Sequence, residues 1–144
     1  MTAITANEFI IDATDARLGR MATHAAKAAL HGKRVVVVNC ESAVITGDRK
    51  AILARFIQKR EWGRPTKGPF FPRMPDRFVR RVIRSMLPYK TPHGRDAFHR
   101  VECYIGTPQE FNGKGTQLEN GPAERRMKLG ELCTLLGGRT EAPK

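Results

Sequence analysis

Arg34-Val35-Val36-Val37-Val38-Asn39 places four β-branched residues in a row with no polar alternation. A strand with one wet face alternates apolar and polar side chains, whereas an unbroken run is buried on both faces, as in a parallel sheet. Upstream, Glu8-Phe9-Ile10-Ile11-Asp12 reads as a first short strand. Between the two, Ala13-Thr14-Asp15 offers N-cap side chains for a helix over about 16–30. Leu18, Met21, Ala22, Ala25 and Ala29 recur there at helical spacing, and Gly32 is the expected stop. Strand, helix and strand make a βαβ unit, expected to cross over right-handed. The fold class that follows is α/β.

Downstream, Ala43-Val44-Ile45 is a short apolar run. Thr46 or Asp48 then caps a helix reaching about Trp62, with Ile52, Leu53, Phe56 and Ile57 as its inner face. Residues 63–75 form a loop stiffened by Pro65, Pro69, Pro72 and Pro75. Its Phe70 and Phe71 have the chemistry to stack on bases, but pinning the loop to its own core is the more ordinary role and the one preferred here. A helix over 77–87 follows, with Asp76 as its N-cap and Pro88 as its end. Residues 89–94 read as a basic turn-rich loop, 96–100 as one helical turn, and 101–105 as a further strand closed by Gly106. Residues 107–126 lack periodicity and read as an extended surface excursion. A last helix over 127–136 carries Leu129, Leu132, Cys133 and Leu136 on one face and stops at Gly137-Gly138, with the final residues expected to fray. The 144 residues suit one domain, with a core over about 8–106 and an extended loop and terminal helix over 107–144.

Charge is unevenly spread. The chain carries +12, and residues 59–100 alone hold twelve basic and three acidic groups, a balance of +9. The other 102 residues hold fourteen basic and eleven acidic groups. A local excess of this size points to a polyanion. At about 100° per residue, Arg77, Arg80, Arg81 and Arg84 fall within an arc roughly 100° wide, along about 10 Å of helix. Phe78, Val79, Val82, Ile83, Met86 and Leu87 fill the other side. A merely solvated face is the usual fate of a charge run, but like charges at this spacing repel, which favours an anionic partner. The candidate RNA-binding residues are Lys59, Arg60, Arg64, Lys67, Arg73, Arg77, Arg80, Arg81, Arg84, Lys90, His93, Arg95 and Arg100.

Signatures of catalysis fail on inspection. Gly113-Lys114-Gly115-Thr116 lacks phosphate-loop spacing, and the turn over 12–19 has one glycine where a dinucleotide site needs three. His24, His31, His93 and His99 supply no H-x-x-x-H pair, and no C-x-x-C is present. His24 and His31, seven apart, could share a helix face, where a solvated pair is expected rather than metal ligands. Cys40, Cys103 and Cys133 are scattered and odd in number, so free thiols in a reducing cytoplasm are expected. Asp12, Asp15 and Asp48, the carboxylates a nuclease would use near strand ends, are better explained as turn or cap residues. No apolar run approaches the length of a membrane span and no signal-peptide pattern opens the chain. The expectation is therefore a structural RNA binder, ahead of a nucleic-acid enzyme on a parallel sheet and of a DNA-binding module. Membrane-surface binding is disfavoured because the apolar side of the arginine helix is needed by the core. No metal, cofactor or small-molecule substrate is expected.

Two segments resemble one family. IDATDARLGRMAT (residues 11–23) is similar to the opening motif of the large-subunit ribosomal protein thirteen family, and RVIRSMLPYKTPHGRDAFHRVECYIGTP (residues 81–108) to its second signature. VVVVNCESAVITGDR matches the intervening segment in character and order, and KGPFFPRMPDR resembles the archaeal and eukaryotic form. Ser85 stands where the family usually has glycine, and the tail beyond Pro108 has no match. The resemblance implies a three-layer α/β/α fold around a four-stranded, mainly parallel sheet. It also implies non-enzymatic binding to large-subunit ribosomal RNA, a part in subunit assembly, neighbouring ribosomal proteins as partners and a place in the cytoplasmic ribosome.

Overall fold

Val35, Val36 and Val37 are fully sealed from solvent and Val38 nearly so in the computed structural model, which describes residues 7–118 and 125–141. In chain order the elements are β1 (Glu8–Asp12), α1 (Leu18–Leu30), β2 (Arg34–Val38), β3 (Val44–Thr46), α2 (Arg49–Glu61), α3 (Pro75–Met86), α4 (Pro92–His99), β4 (Val101–Cys103), β5 (Thr116–Gln117), β6 (Arg126–Lys128) and α5 (Leu129–Leu135). The main sheet runs β4-β2-β1-β5 with every neighbouring pair parallel. The α/β class and the four-stranded parallel sheet expected from the sequence are both present. β3 and β6 form a separate antiparallel pair.

The valine run divides by parity between two cores, as a strand requires. Val35 and Val37 join Ile11 from β1 and Val101 from β4 in the larger core, against Met21, Ala22 and Ala25 of α1. Phe78, Val79 and Ile83 of α3 and Leu129 and Leu132 of α5 complete it. Val36 and Val38 join Ile10 in a smaller cluster with Phe111 and the half-buried Tyr104. Among the described residues, the sheet is thus covered by helices on one face and by the 3-10 turn Gln109–Phe111 on the other. The alanine side of α1 keeps that helix close to the strands. Gly32 ends it as expected: at φ +85° its N–H donates to Ala29 O, and Lys33 N–H donates to Ala28 O. Gly137 and Gly138 close α5 in the same way.

Several boundaries differ from the sequence reading, each for a tertiary or local hydrogen-bonding reason. α1 begins at Leu18, not near residue 16, because Ala16 and Arg17 stay extended and pair with Val44, whose N–H donates to Ala16 O. Thr14 does not cap that helix; its N–H and hydroxyl both donate to Asp12 Oδ1. Asp48 does cap α2, accepting from Ala51 N–H, and Trp62 is its C-cap. α3 starts at Pro75, with Met74 in the N-cap position, so Asp76 lies inside the first turn. α4 is longer than the single turn expected, because Thr91 accepts from Gly94 N–H and Pro92 starts the helix. The stretch read as a surface excursion supplies β5, the edge strand beside β1, and β6; its residues 119–124 lie outside the described residues. Residues 127 and 128 of the expected last helix belong to β6, and the tail beyond residue 141 is likewise outside the described residues.

The ends of β1, β2 and β4 are tied by one polar corner. Asn39, in the left-handed region at φ 55°, donates from Nδ2 to Asp12 Oδ1 and accepts Thr107 Oγ1–H on Oδ1. Burial would raise the Asp12 pKa, but the hydrogen bonds from Asn39 and Thr14 outweigh it and leave the carboxyl below its ordinary value. The three cysteines are free: Cys40 and Cys133 buried, Cys103 half-buried. Contact with Cys103 and burial push the Cys40 thiol up, and burial, aided by the Asp76 charge, pushes Cys133 up to about 12.

Two outcomes follow from this packing. Val37→Asp places a carboxylate where no solvent reaches and should cost several kcal/mol, a large part of the roughly 5–15 kcal/mol that holds a domain. Denaturant melts read that loss directly, and a cooperative melt close to wild type would show that the strand is not central. Thiol titration of unreduced protein should find three thiols after unfolding. In the native state Cys103 should react first, and recovery of a single thiol would reveal a disulfide.

Candidate nucleic-acid interface

The helix α3 has the two sides expected of it. Phe78, Val79 and Ile83 are fully buried, and Leu87 just beyond the helix is nearly so. Arg77, Arg80, Arg81 and Arg84 are all exposed. Met86 departs from the expected pattern: it is 41% exposed, with its Sδ taking the Thr23 hydroxyl at 3.6 Å.

Three of the four arginines rest on aromatic rings. Arg80 lies over the Phe98 ring at 4.6 Å, Arg81 over Phe71 at 4.8 Å and Arg84 over Tyr89 at 3.9 Å. Arg81 also donates to Phe70 O at 3.4 Å. The rings are themselves fixed. Phe71 packs with Phe56 and with the buried Phe78, centroids 5.7 and 5.4 Å apart, and Tyr89 meets Phe98 edge-on at 5.9 Å. Each of these three guanidinium groups therefore rests on a ring face that attracts cations. A planar group held in this way loses less freedom when an anion arrives.

No ion pair joins these four arginines to a carboxylate among the described residues. Asp76, one turn before Arg80, turns inward, and its Oδ1 is buried without a hydrogen-bond partner. Lys59 adds to the crowding. Its ammonium lies 5.2 Å from the Phe56 centroid and 5.8 Å from that of Phe71. Partial burial, then the charges of Arg55 and Arg81, lower its pKa. Cations held together without carboxylates form a surface whose potential favours phosphate. An open cleft of about 540 Å³ lies along this surface, lined by Arg81, Arg84, Ser85, Tyr89 and Lys90 among others.

The remaining candidates separate by position. Arg64 and Lys67 are exposed on the loop before α3, Arg73 is exposed with its backbone against Gly138, and Lys90, His93 and Arg95 are exposed around the start of α4. Two residues serve the fold. Arg60 donates to Leu136 O at the end of α5 and lies 4.0 Å from Glu61. Arg100 donates to Ala29 O at the end of α1. Both meet the negative end of a helix, a favourable place for a cation. Sequence reasoning also missed the rings beneath the arginines. Phe71, Tyr89 and Phe98 sit within the same basic stretch, which is the one signal the chain offers, but helical spacing says nothing about contacts made across a loop. Phe71 pins the loop as preferred above, whereas Phe70 does not: it is 71% exposed.

Asp12 and Asp48 are engaged in a turn and a cap. Among the described residues no three His, Cys, Asp or Glu side chains are grouped so as to hold a metal ion. No described helix is long and apolar enough to cross a membrane.

Comparison with known sequences gives a consistent result. The profile of a family described as Ribosomal protein L13 matches residues 6–110. The large ribosomal subunit protein uL13 of Methanopyrus kandleri is 46% identical over 123 residues, covering 85% of this chain and 77% of its own length. The protein of the same name from Archaeoglobus fulgidus is 42% identical over 127 residues, 88% of this chain and 81% of that one. That from Methanocaldococcus jannaschii is 41% identical over 134 residues, 90% and 98% of the two chains.

The electrostatics of α3 make a prediction about stability. Replacing Arg77, Arg80, Arg81 and Arg84 together with Ala removes three cation–π interactions worth about 0.5–1 kcal/mol each at exposed sites. It also relieves repulsion among the four, so the net change should stay within about 2 kcal/mol. Salt screens that repulsion, so thermal melts of wild type should rise more steeply with added salt than those of the quadruple variant. A collapse of the variant would show that the arginines hold the fold.

Proposed function

Because this chain belongs to the ribosomal protein L13 family, we propose that it is a structural, non-catalytic constituent of the large subunit of the cytoplasmic ribosome. In this reading it acts as one ribosomal-protein domain over 1–144, binding large-subunit ribosomal RNA, touching neighbouring large-subunit proteins and supporting subunit assembly. The observation that carries the RNA reading is the row of exposed arginines on α3, each of Arg80, Arg81 and Arg84 resting on an aromatic ring and none ion-paired among the described residues.

Arg77, Arg80, Arg81 and Arg84 would act mainly on phosphates. The rings beneath Arg80, Arg81 and Arg84 fix position and orientation, while nothing in the spacing of the four supplies a fork matched to one base edge. The loops carrying Arg64, Lys67 and Arg73 and the turn carrying Lys90, His93 and Arg95 would extend the interface on either side. A surface of this kind reads the shape of folded RNA through its backbone. Arg60 and Arg100 belong to the same basic stretch but would contribute indirectly, by fixing the ends of α5 and α1.

Binding to a large-subunit RNA fragment should weaken when any one of the four arginines becomes Ala. The slope of log affinity against log salt should drop by about 0.7–0.9 for each phosphate that is no longer neutralised. Lysine replacements should recover much of the slope but lose bidentate geometry. An unchanged slope in the quadruple Ala variant would move the RNA to the flanking loops. In cell extracts the protein should sediment with the large subunit at low salt, and its absence there would overturn the ribosomal assignment.

A further inference from the structure

We propose that Trp62 and Phe70 form a stacking platform for unpaired bases of a single-stranded or bulged RNA segment, an inference that rests on the RNA-binding reading above. The two are conspicuous by exposure. Trp62 is 56% and Phe70 71% accessible, whereas Phe71, the next residue, is packed into the core. Singly, exposed apolar residues are ordinary; adjoining ones that form a patch beside a strongly charged surface are the setting in which an interaction site is found.

The loop between α2 and α3 brings them together. Arg64 and Gly68 exchange both backbone hydrogen bonds, at 3.1 and 2.9 Å, and so close the loop on itself. Gly63 packs directly on the other limb: a Cβ there would lie 2.2 Å from Gly68 O and 2.4 Å from Pro69 Cδ, and its φ of +96° suits glycine alone. Trp62, next to Gly63, and Phe70, two residues past Gly68, therefore leave the closed loop from adjoining points. The backbone of Phe70 is anchored, its carbonyl accepting from Arg81 at 3.4 Å. An exposed ring carried on an anchored backbone leaves less chain to order when a flat partner arrives.

Charge selects the partner. Lys59, Trp62, Pro69, Phe71 and Arg81 line a cleft of about 210 Å³, so two cations share it with the indole. Arg64 and Lys67 are exposed on the same loop. The nearby Glu61 faces Arg60 at 4.0 Å. Aromatic rings for the bases, with cations for the adjoining phosphates, are what single-stranded RNA requires. A basic protein surface would meet uncompensated repulsion here.

The chain has one tryptophan, so its intrinsic fluorescence reports on Trp62 alone. The experiment titrates the full chain with a short oligouridylate and, separately, with an RNA duplex of equal phosphate count. The single strand should quench Trp62 strongly. The duplex should bind through the arginines and leave the emission nearly unchanged. Phe70→Ala and Trp62→Ala should each weaken oligouridylate binding by about fivefold to a hundredfold. Their salt slope, duplex affinity and melting temperature should remain those of wild type, and Phe70→Tyr should retain the affinity. Unquenched Trp62 at saturating single strand, or wild-type affinity in Phe70→Ala, would overturn the platform while duplex binding still upheld the phosphate reading. Failure of both RNAs to bind would overturn both. Unchanged affinity for both RNAs, combined with loss of Phe70→Ala protein from the large subunit, would assign the platform to a protein neighbour instead.

Discussion

Burial of β2 on both faces is the constraint from which the rest of the architecture follows. Four valines in succession cannot present one face to water, so each face of the strand needs its own cover. Val35 and Val37 recruit α1, α3 and α5 through the larger core, while Val36 and Val38 take Ile10, Phe111 and Tyr104. β1 and β4 flank the strand in parallel register, so the chain must cross over between them, and the crossovers place the helices. The position of α3 against the sheet is one consequence, and with it the direction in which its arginines point.

α3 joins fold and surface within a single element. Its buried side belongs to the core through Phe78, Val79 and Ile83, and its exposed side presents four guanidinium groups. Between the two lies a layer of rings. Phe71 belongs to the core on one side and carries Arg81 on the other; Phe98 and Tyr89 carry Arg80 and Arg84. The same aromatic side chains thus anchor the loops to the body and hold the charged groups in a fixed array. Cations arranged this way repel one another, and an anion placed among them relieves that repulsion.

The basic stretch is not uniform in what its charges do. Arg60 and Arg100 bind the carbonyl ends of α5 and α1, and their contribution is to stability and placement. Asp76 follows the converse logic. It sits one turn from Arg80, within reach of an ion pair on a helix, yet it turns inward and leaves the arginine row uncompensated. Net charge located the surface, but only the direction of each side chain shows which charges remain on it.

Alternation and spacing within one element were readable from the chain itself. The valine run specified a buried parallel strand, the spacing of Phe78, Val79, Arg80 and Arg81 specified the two sides of α3, and Gly32 and Gly137 specified helix ends. These features depend on neighbours a few residues apart, where geometry is set by the helix or strand period. The structure alone decided the features that depend on distant partners. β5 consists of two exposed residues, Thr116 and Gln117, and is a strand only because β1 offers it an edge. Ala16 and Arg17 remain outside α1 because Val44 pairs with them. The rings beneath Arg80, Arg81 and Arg84 lie on a loop, a turn and another helix, brought there by the packing of α3 and α4. Hydrophobic period carries no record of such long-range contacts, because their geometry exists only once the core has closed.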